Sequence, residues 1–190
     1  MSTETIALRL VGISPLLMHS SRLADPLDPQ TTKLAAVTAK RAKTVADHRR
    51  IAELEWHASL WLHEGLPCLP AEAVEGAFVE AAKTRNKGKI ARAALVVDGP
   101  AMLHHGGPQT IEELWKDPAY ALRAMVRVKT SLTARTRPRF SGWSAHITAT
   151  FLTTLIDRSA VLEYFRIAGA LGIGDWRPRY GKFLVEEAAE

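Results

Sequence analysis

An α+β fold is predicted by three observations. Segments of strict apolar/polar alternation open and close the chain, and two apolar stripes at helical spacing lie between them. With insertions set aside, the elements run strand, helix, strand, strand, helix, strand. That is the order of a ferredoxin-like, split βαβ core, in which two helices cover one face of a four-stranded antiparallel sheet.

The first strand is read over residues 5–13, where Ile6, Leu8 and Leu10 alternate with Thr5, Ala7 and Arg9 until Ser14-Pro15 ends it. Residues 16–65 have the character of a helical insertion. Asp28 caps a helix that begins at Pro29 and is basic and poor in large apolar groups, so a mostly exposed helix or arm is expected. Thr44 and Asp47 are placed as a capping box. Ile51, Leu54, Ala58, Trp61 and Leu62 form the stripe of the helix that follows, with a stop at Gly65-Leu66-Pro67.

The first core helix follows Leu69-Pro70 on the stripe Val74, Ala77, Phe78 and Ala81. Gly76 on this helix suggests a close backbone neighbour. Two short strands flank the Asp98-Gly99-Pro100 turn, and a short helix is read over 110–116. A long strand is predicted over 124–134, with regular pairing ending by Pro138, and it is expected to form a hairpin with the strand 144–151. This hairpin would supply the central pair of the sheet. Asp157 caps the second core helix, which buries Val161, Leu162, Phe165 and Ala168. A last strand, 181–185, turns Phe183 and Val185 inward.

Composition narrows the function classes. The chain has 190 residues, of which 47% are apolar, enough for a folded core. Its formal charge is +5 and its pI about 9.6, which suits a polyanionic partner. One cysteine, Cys68, excludes an internal disulfide. No apolar run reaches the length of a membrane span and no signal-peptide pattern is present, so a cytoplasmic protein with no membrane partner is expected. The seven histidines show no metal-ligand spacing, and neither a metal nor another cofactor is expected.

Two basic stretches stand out. Arg127, Lys129, Arg135, Arg137 and Arg139 recur at alternate positions, so they share one face of an extended chain. The second stretch is the glycine-containing loop 172–183, where Arg177, Arg179 and Lys182 are interleaved with Trp176 and Tyr180. Cations for phosphates and flat rings for bases are what a single-stranded nucleic acid needs. Arg137-Pro138-Arg139 and Arg177-Pro178-Arg179 are locally alike, and the two loops are expected at neighbouring edges of the sheet. Lys87 and Lys89, at a basic turn, are added to the set. Trp143 and Trp176, beside loop residues, are the favoured stacking groups, whereas Trp61 and Trp115 are assigned to the core.

Three stretches resemble a known family. They are Ile13-Ser14-Pro15-Leu16-Leu17-Met18-His19, Leu69-Pro70-Ala71-Glu72-Ala73-Val74-Glu75-Gly76-Ala77-Phe78, and the loop from Gly172-Ile173-Gly174 to Tyr180-Gly181-Lys182-Phe183. The family is the RAMP superfamily of CRISPR systems, especially the backbone subunits that coat guide RNA, and the likeness is to a stand-alone phage or prophage member. The resemblance implies a single RAMP-like domain over 1–190 with an RRM-like core. It also implies a single-stranded RNA or DNA partner and side-by-side assembly as a homo-oligomer, with the insertion as an arm reaching a neighbour. The chain reads as a sequence-tolerant binding protein rather than an enzyme. Two alternatives stay open. One is a RAMP-type endoribonuclease, for which His19, Asp25 and Asp28 are the residues to compare. The other is a phage assembly or interaction protein, including a mimic of a CRISPR subunit.

Overall fold

The computed structural model describes residues 2–188. Ten strands and six α-helices occur among them. In chain order they are β1 (Thr3–Gly12), β2 (Leu16–Leu17), α1 (Pro29–Thr38), α2 (Val45–Ser59), β3 (Leu62–His63), β4 (Leu66–Leu69), α3 (Ala71–Lys83), α4 (Gly88–Ala94), β5 (Leu95–Val97), β6 (Ala101–His104), α5 (Ile111–Lys116), β7 (Ala121–Val128), β8 (Ser131–Phe140), β9 (Ser144–Leu152), α6 (Arg158–Leu171) and β10 (Phe183–Glu187). Short 3-10 turns at Ser21–Ala24 and Pro118–Tyr120 complete the set. The class is α+β with antiparallel sheets.

The elements group into two compact units. The first takes residues up to Leu16, Leu62–Gly106, and residues from Ser141 onward. Its sheet has the order β10-β1-β9-β6-β4-β3, and β5 also pairs with β9. The alternation in β1 sets the register. Ile6, Leu8 and Leu10 are buried opposite Ala149, Ile147 and Ala145 of β9, so the apolar sides of both strands meet one core. The other side, with Thr5, Ala7, Arg9, His146 and Thr148, is exposed.

The first core helix buries the stripe expected of it, and the second does so except at Leu162, which is half-buried while Tyr164 is buried instead. Phe78 of α3 packs its ring 4.8 Å from Phe165 and 5.7 Å from Tyr164 of α6. Gly169, on the buried side of α6, leaves no room for a side chain beside the Phe183 carbonyl of β10. Gly76 has no such purpose: it is exposed, and a Cβ there would meet nothing within 4 Å. Trp143 is fully buried and donates its indole N–H to the Ser14 carbonyl at 3.0 Å, so it is a core residue and not a stacking group.

The second unit takes Leu17–Trp61 and Gly107–Phe140. Asp28 accepts from the Gln30 and Thr31 amides, and Pro29 starts α1, which buries no residue. Thr44 and Asp47 close the capping box of α2 as their spacing requires. That helix ends at Ser59, six residues before the Gly65-Leu66-Pro67 stop read from the sequence, and Leu62 lies exposed in β3. Trp56 is the fully buried tryptophan of α2, with its indole N–H on the Tyr120 carbonyl at 2.9 Å. Trp61 and Trp115 are half-buried.

The predicted hairpin is the main correction. Residues 124–134 are not one strand, because the chain turns back at Lys129-Thr130 and β7 pairs with β8, Val128 facing Ser131. Lys129 takes φ +55°, a conformation that lysine seldom signals, and no Gly or Asn marks the turn. Strand β8 runs through Pro138, which faces Ala121, to Phe140. These strands form a separate three-stranded sheet of order β2-β8-β7, while β9 belongs to the sheet of the first unit.

Candidate nucleic-acid interface

In the first unit the loop after α6 is built from its two ends. Gly172 ends the helix with φ +87°, and its amide still reaches the Ala168 carbonyl at 2.7 Å. At the far end, the Gly181 amide donates to Pro15 at 2.8 Å and the Gly181 carbonyl accepts from Ile173 at 2.9 Å. The Lys182 amide donates to Ser14 Oγ at 2.9 Å, and its carbonyl accepts from Ile13 at 2.8 Å. The ends are therefore tied to each other and to the segment after β1, which leaves residues 174–180 as a displayed loop.

On that loop Arg177 and Arg179 are exposed, and Trp176, Tyr180 and Lys182 are half-buried. The Trp176 and Tyr180 rings lie 6.2 Å apart and tilted, and the Arg179 guanidinium carbon lies 5.9 Å from the Tyr180 ring centre. Asp175 accepts from the Trp176 amide at 3.0 Å, which gives that carboxylate a part in shaping the turn.

The loop faces the C-terminal end of α3. Lys83, Thr84, Leu171, Gly174, Trp176 and Arg177 line a hollow of about 780 Å³. Lys83 also borders a second hollow of about 640 Å³, with Asn86, Lys89, Ile90 and Arg92. Glu80 is held below the usual carboxylate range, first by its hydrogen bond from Lys83 and further by the fields of Lys83, Arg177 and Arg92. Cations far apart in sequence thus converge around one exposed carboxylate. Lys87 is exposed nearby at the start of α4.

The second unit treats its arginines differently. Arg137 is buried, and its Nη1 donates to Glu55 Oε1 at 3.1 Å. Arg135 reaches the same oxygen at 3.2 Å, and the Thr136 amide donates to Glu55 Oε2 at 2.8 Å. Arg139 donates from Nε to the Ala119 carbonyl at 3.0 Å. The guanidinium of Arg137 is therefore committed to a buried ion pair and is not presented to a phosphate. Arg127 and Lys129 are exposed at the β7–β8 turn. The two Arg-Pro-Arg loops expected as neighbours belong to different units. Glu55 is the residue that the cation pattern misses. Its signal is its place in the stripe of Ile51, Leu54 and Ala58, where a carboxylate requires a partner.

The residues compared for nuclease chemistry hold other contacts. Asp28 caps α1 and takes the Arg22 guanidinium at 2.8 Å, which keeps its carboxyl below the usual range. Asp25 accepts from the Leu27 amide at 2.9 Å. His19 Nε2 lies 3.4 Å from Arg137 Nη2. Among the described residues no three His, Cys, Asp or Glu side chains cluster closely enough to hold a metal. No helix among them is long and apolar enough to cross a membrane.

His57 gives the second unit a pH dependence. Its ring packs against Trp56 at 4.9 Å and Trp115 at 6.0 Å, and burial pushes its pKa below the ordinary 6.5, with Glu53 and Glu112 opposing and Arg50 adding. The unfolded chain then binds the proton that the folded state resists. Stability from this group is complete above 6.5 and is lost as pH falls through the lower folded-state value. His105, in the first unit, is shifted the same way by burial. Thermal unfolding followed from about pH 7 to about pH 5 will show a falling midpoint, less steep in His57→Gln. A flat midpoint over that range would contradict the assignment.

Compared with known proteins, the chain matches no family model and no curated sequence. The fold and the site define it at the level they reach: an α+β protein of antiparallel sheets whose first unit carries a loop of cations and aromatic rings against the end of a helix.

Proposed function

We propose that the protein binds single-stranded nucleic acid with little sequence preference, through loop 174–180 and the end of α3. The observation that carries this reading is the convergence of Arg177, Lys83 and Arg92 around Glu80, beside the exposed Arg179 and the Trp176 and Tyr180 rings. Phosphates would meet the cations and bases would meet the rings, an arrangement that tolerates any sequence because every base has a flat face. The backbone order supports a ferredoxin-like core: α3 lies between β1 and β5 in the chain, α6 between β9 and β10, and four strands pair in the order β10-β1-β9-β5. With the three resembling stretches, this favours a RAMP-like protein of phage or prophage type that coats its strand as an oligomer in the cytoplasm. Arg127 and Lys129, exposed in the second unit, are additional phosphate contacts in this reading.

The test is fluorescence anisotropy with labelled RNA and DNA oligonucleotides of mixed sequence across a salt series. Affinity will fall linearly on logarithmic axes. In the triple variant Lys89→Ala, Arg177→Ala, Arg179→Ala the slope will lose roughly 0.7 per phosphate contact removed, about 2 in all. The residues are exposed, so the fold survives their loss. Unchanged affinity and slope in the variant would remove the loop from the interface.

A further inference from the structure

The second unit holds a cavity that this interface does not use. It has a volume of about 810 Å³ and lies between α2, the end of α1 and the β7–β8 hairpin. That volume is within the range of small-molecule sites, roughly 300–1,000 Å³. Its apolar wall is aliphatic throughout: Val45, Ile51 and Ala52 from α2, and Met125, Leu132 and Ala134 from the hairpin. Val45, Met125 and Leu132 are 61–69% exposed, an unusual outlay of large apolar surface on neighbouring elements.

Cations outnumber acids around this wall: Lys43, Arg123 and Arg135 line the cavity beside His48. Its single carboxylate, Glu55, is already held by Arg135, Arg137 and the Thr136 amide. Arg135 gives Glu55 one contact, at 3.2 Å, and its side chain keeps 36% exposure. The cavity therefore offers an aliphatic slot with cations at its border and no acid left to oppose an incoming anion. No Phe, Tyr or Trp lines it, and the imidazole of His48 is its one flat ring, so a nucleobase would find little stacking surface there. The unbranched side chain of Met125 adapts instead to a flexible chain.

We propose that this cavity binds a single-chain aliphatic carboxylate, its hydrocarbon against Ile51, Met125 and Leu132 and its headgroup toward Arg123 and Arg135. The site is independent of the nucleic-acid reading and lies within one unit of the fold.

The experiment is isothermal titration calorimetry of the full chain with dodecanoate below its micellar concentration. Parallel titrations use dodecyltrimethylammonium, which inverts the headgroup charge, and adenosine monophosphate, which carries an anion on a nucleobase. Arg123→Glu and Met125→Glu are the variants. Both positions are exposed, and circular dichroism verifies that each variant remains folded. The expected result is one-to-one binding of dodecanoate, weakened at least tenfold in each variant, with neither control ligand bound. Equal binding of the cationic detergent would reduce the cavity to a nonspecific oily surface, and the proposal fails. Preference for the nucleotide would overturn it in favour of a second nucleic-acid contact. Absence of dodecanoate binding, or wild-type binding in both variants, ends it as well. The oligonucleotide anisotropy tests residues of the first unit that none of these variants touches, so failure of one assignment is distinguishable from failure of the other.

Discussion

Glu55→Ala will cost the protein about 3–5 kcal/mol of folding stability, read as a lower urea midpoint. The size follows from what the carboxylate leaves behind. Oε1 accepts from Arg137 at 3.1 Å and from Arg135 at 3.2 Å, and Oε2 accepts from the Thr136 amide at 2.8 Å. Arg135 can swing into water. Arg137, only 5% exposed, cannot do so without opening the contact between α2 and β8. The variant takes the carboxylate away from a buried guanidinium and leaves the Thr136 amide without its acceptor. Domains of ordinary stability hold about 5–15 kcal/mol in total, so the loss threatens the folding of the whole second unit. Glu55→Gln retains an acceptor and should fall between the variant and the wild type. The double variant Glu55→Leu, Arg137→Met removes both buried charges and should recover part of the loss, because an apolar pair does not carry the desolvation cost while the Thr136 amide still lacks its acceptor. A Glu55→Ala protein within about 1 kcal/mol of wild type would show that water reaches Arg137 and that the pair is not truly buried.

The elements legible in the sequence are those whose signal is local. The alternation of Ile6, Leu8 and Leu10, the Asp28 and Asp157 caps and the Thr44–Asp47 box each depend on residues a few positions apart, and each forms as the spacing requires. The failures share another cause. The turn at Lys129-Thr130 has no glycine or asparagine, and the positive φ of Lys129 is imposed by the pairing of β7 with β8. The alternating pattern runs across it without a break, so it reads as one long strand. Arg137 resembles a surface cation because its partner lies 82 residues away on a helix. Trp143 resembles a loop aromatic because the Ser14 carbonyl that receives its indole lies 129 residues away. Loop 172–183 is legible as a set of cations and rings. That Lys83 and Arg92 join it around Glu80 depends on the tertiary placement of α3, which no local pattern encodes.

Gly181→Ala is expected to destabilise the protein by about 3 kcal/mol or more, and to weaken oligonucleotide binding even where the chain remains folded. Two penalties add. Gly181 has φ +72°, a region that costs an L-residue about 1–2 kcal/mol. A Cβ there would also fall inside the van der Waals envelope of the Ile173 backbone, where no side chain can turn aside. The same glycine joins the ends of the loop through its bonds to Pro15 and Ile173, so relief of the clash must part the loop from its base. Arg177, Arg179 and Trp176 would then lose their fixed placement beside Lys83 while keeping their chemistry. Under the proposed function, affinity for a single strand falls without a matching fall in salt slope, because charges are displaced and not deleted. Gly76→Ala supplies the control of opposite sign. It sits in an α3 turn where an added methyl would meet no heavy atom within 4 Å, so the substitution should stabilise the helix by up to about 1 kcal/mol and leave binding alone. Urea titrations of both variants, paired with the anisotropy series, measure both quantities on the same samples. A Gly181→Ala protein with wild-type stability would mean that the loop base relaxes freely, and the rigid display of residues 174–180 would then have to be abandoned.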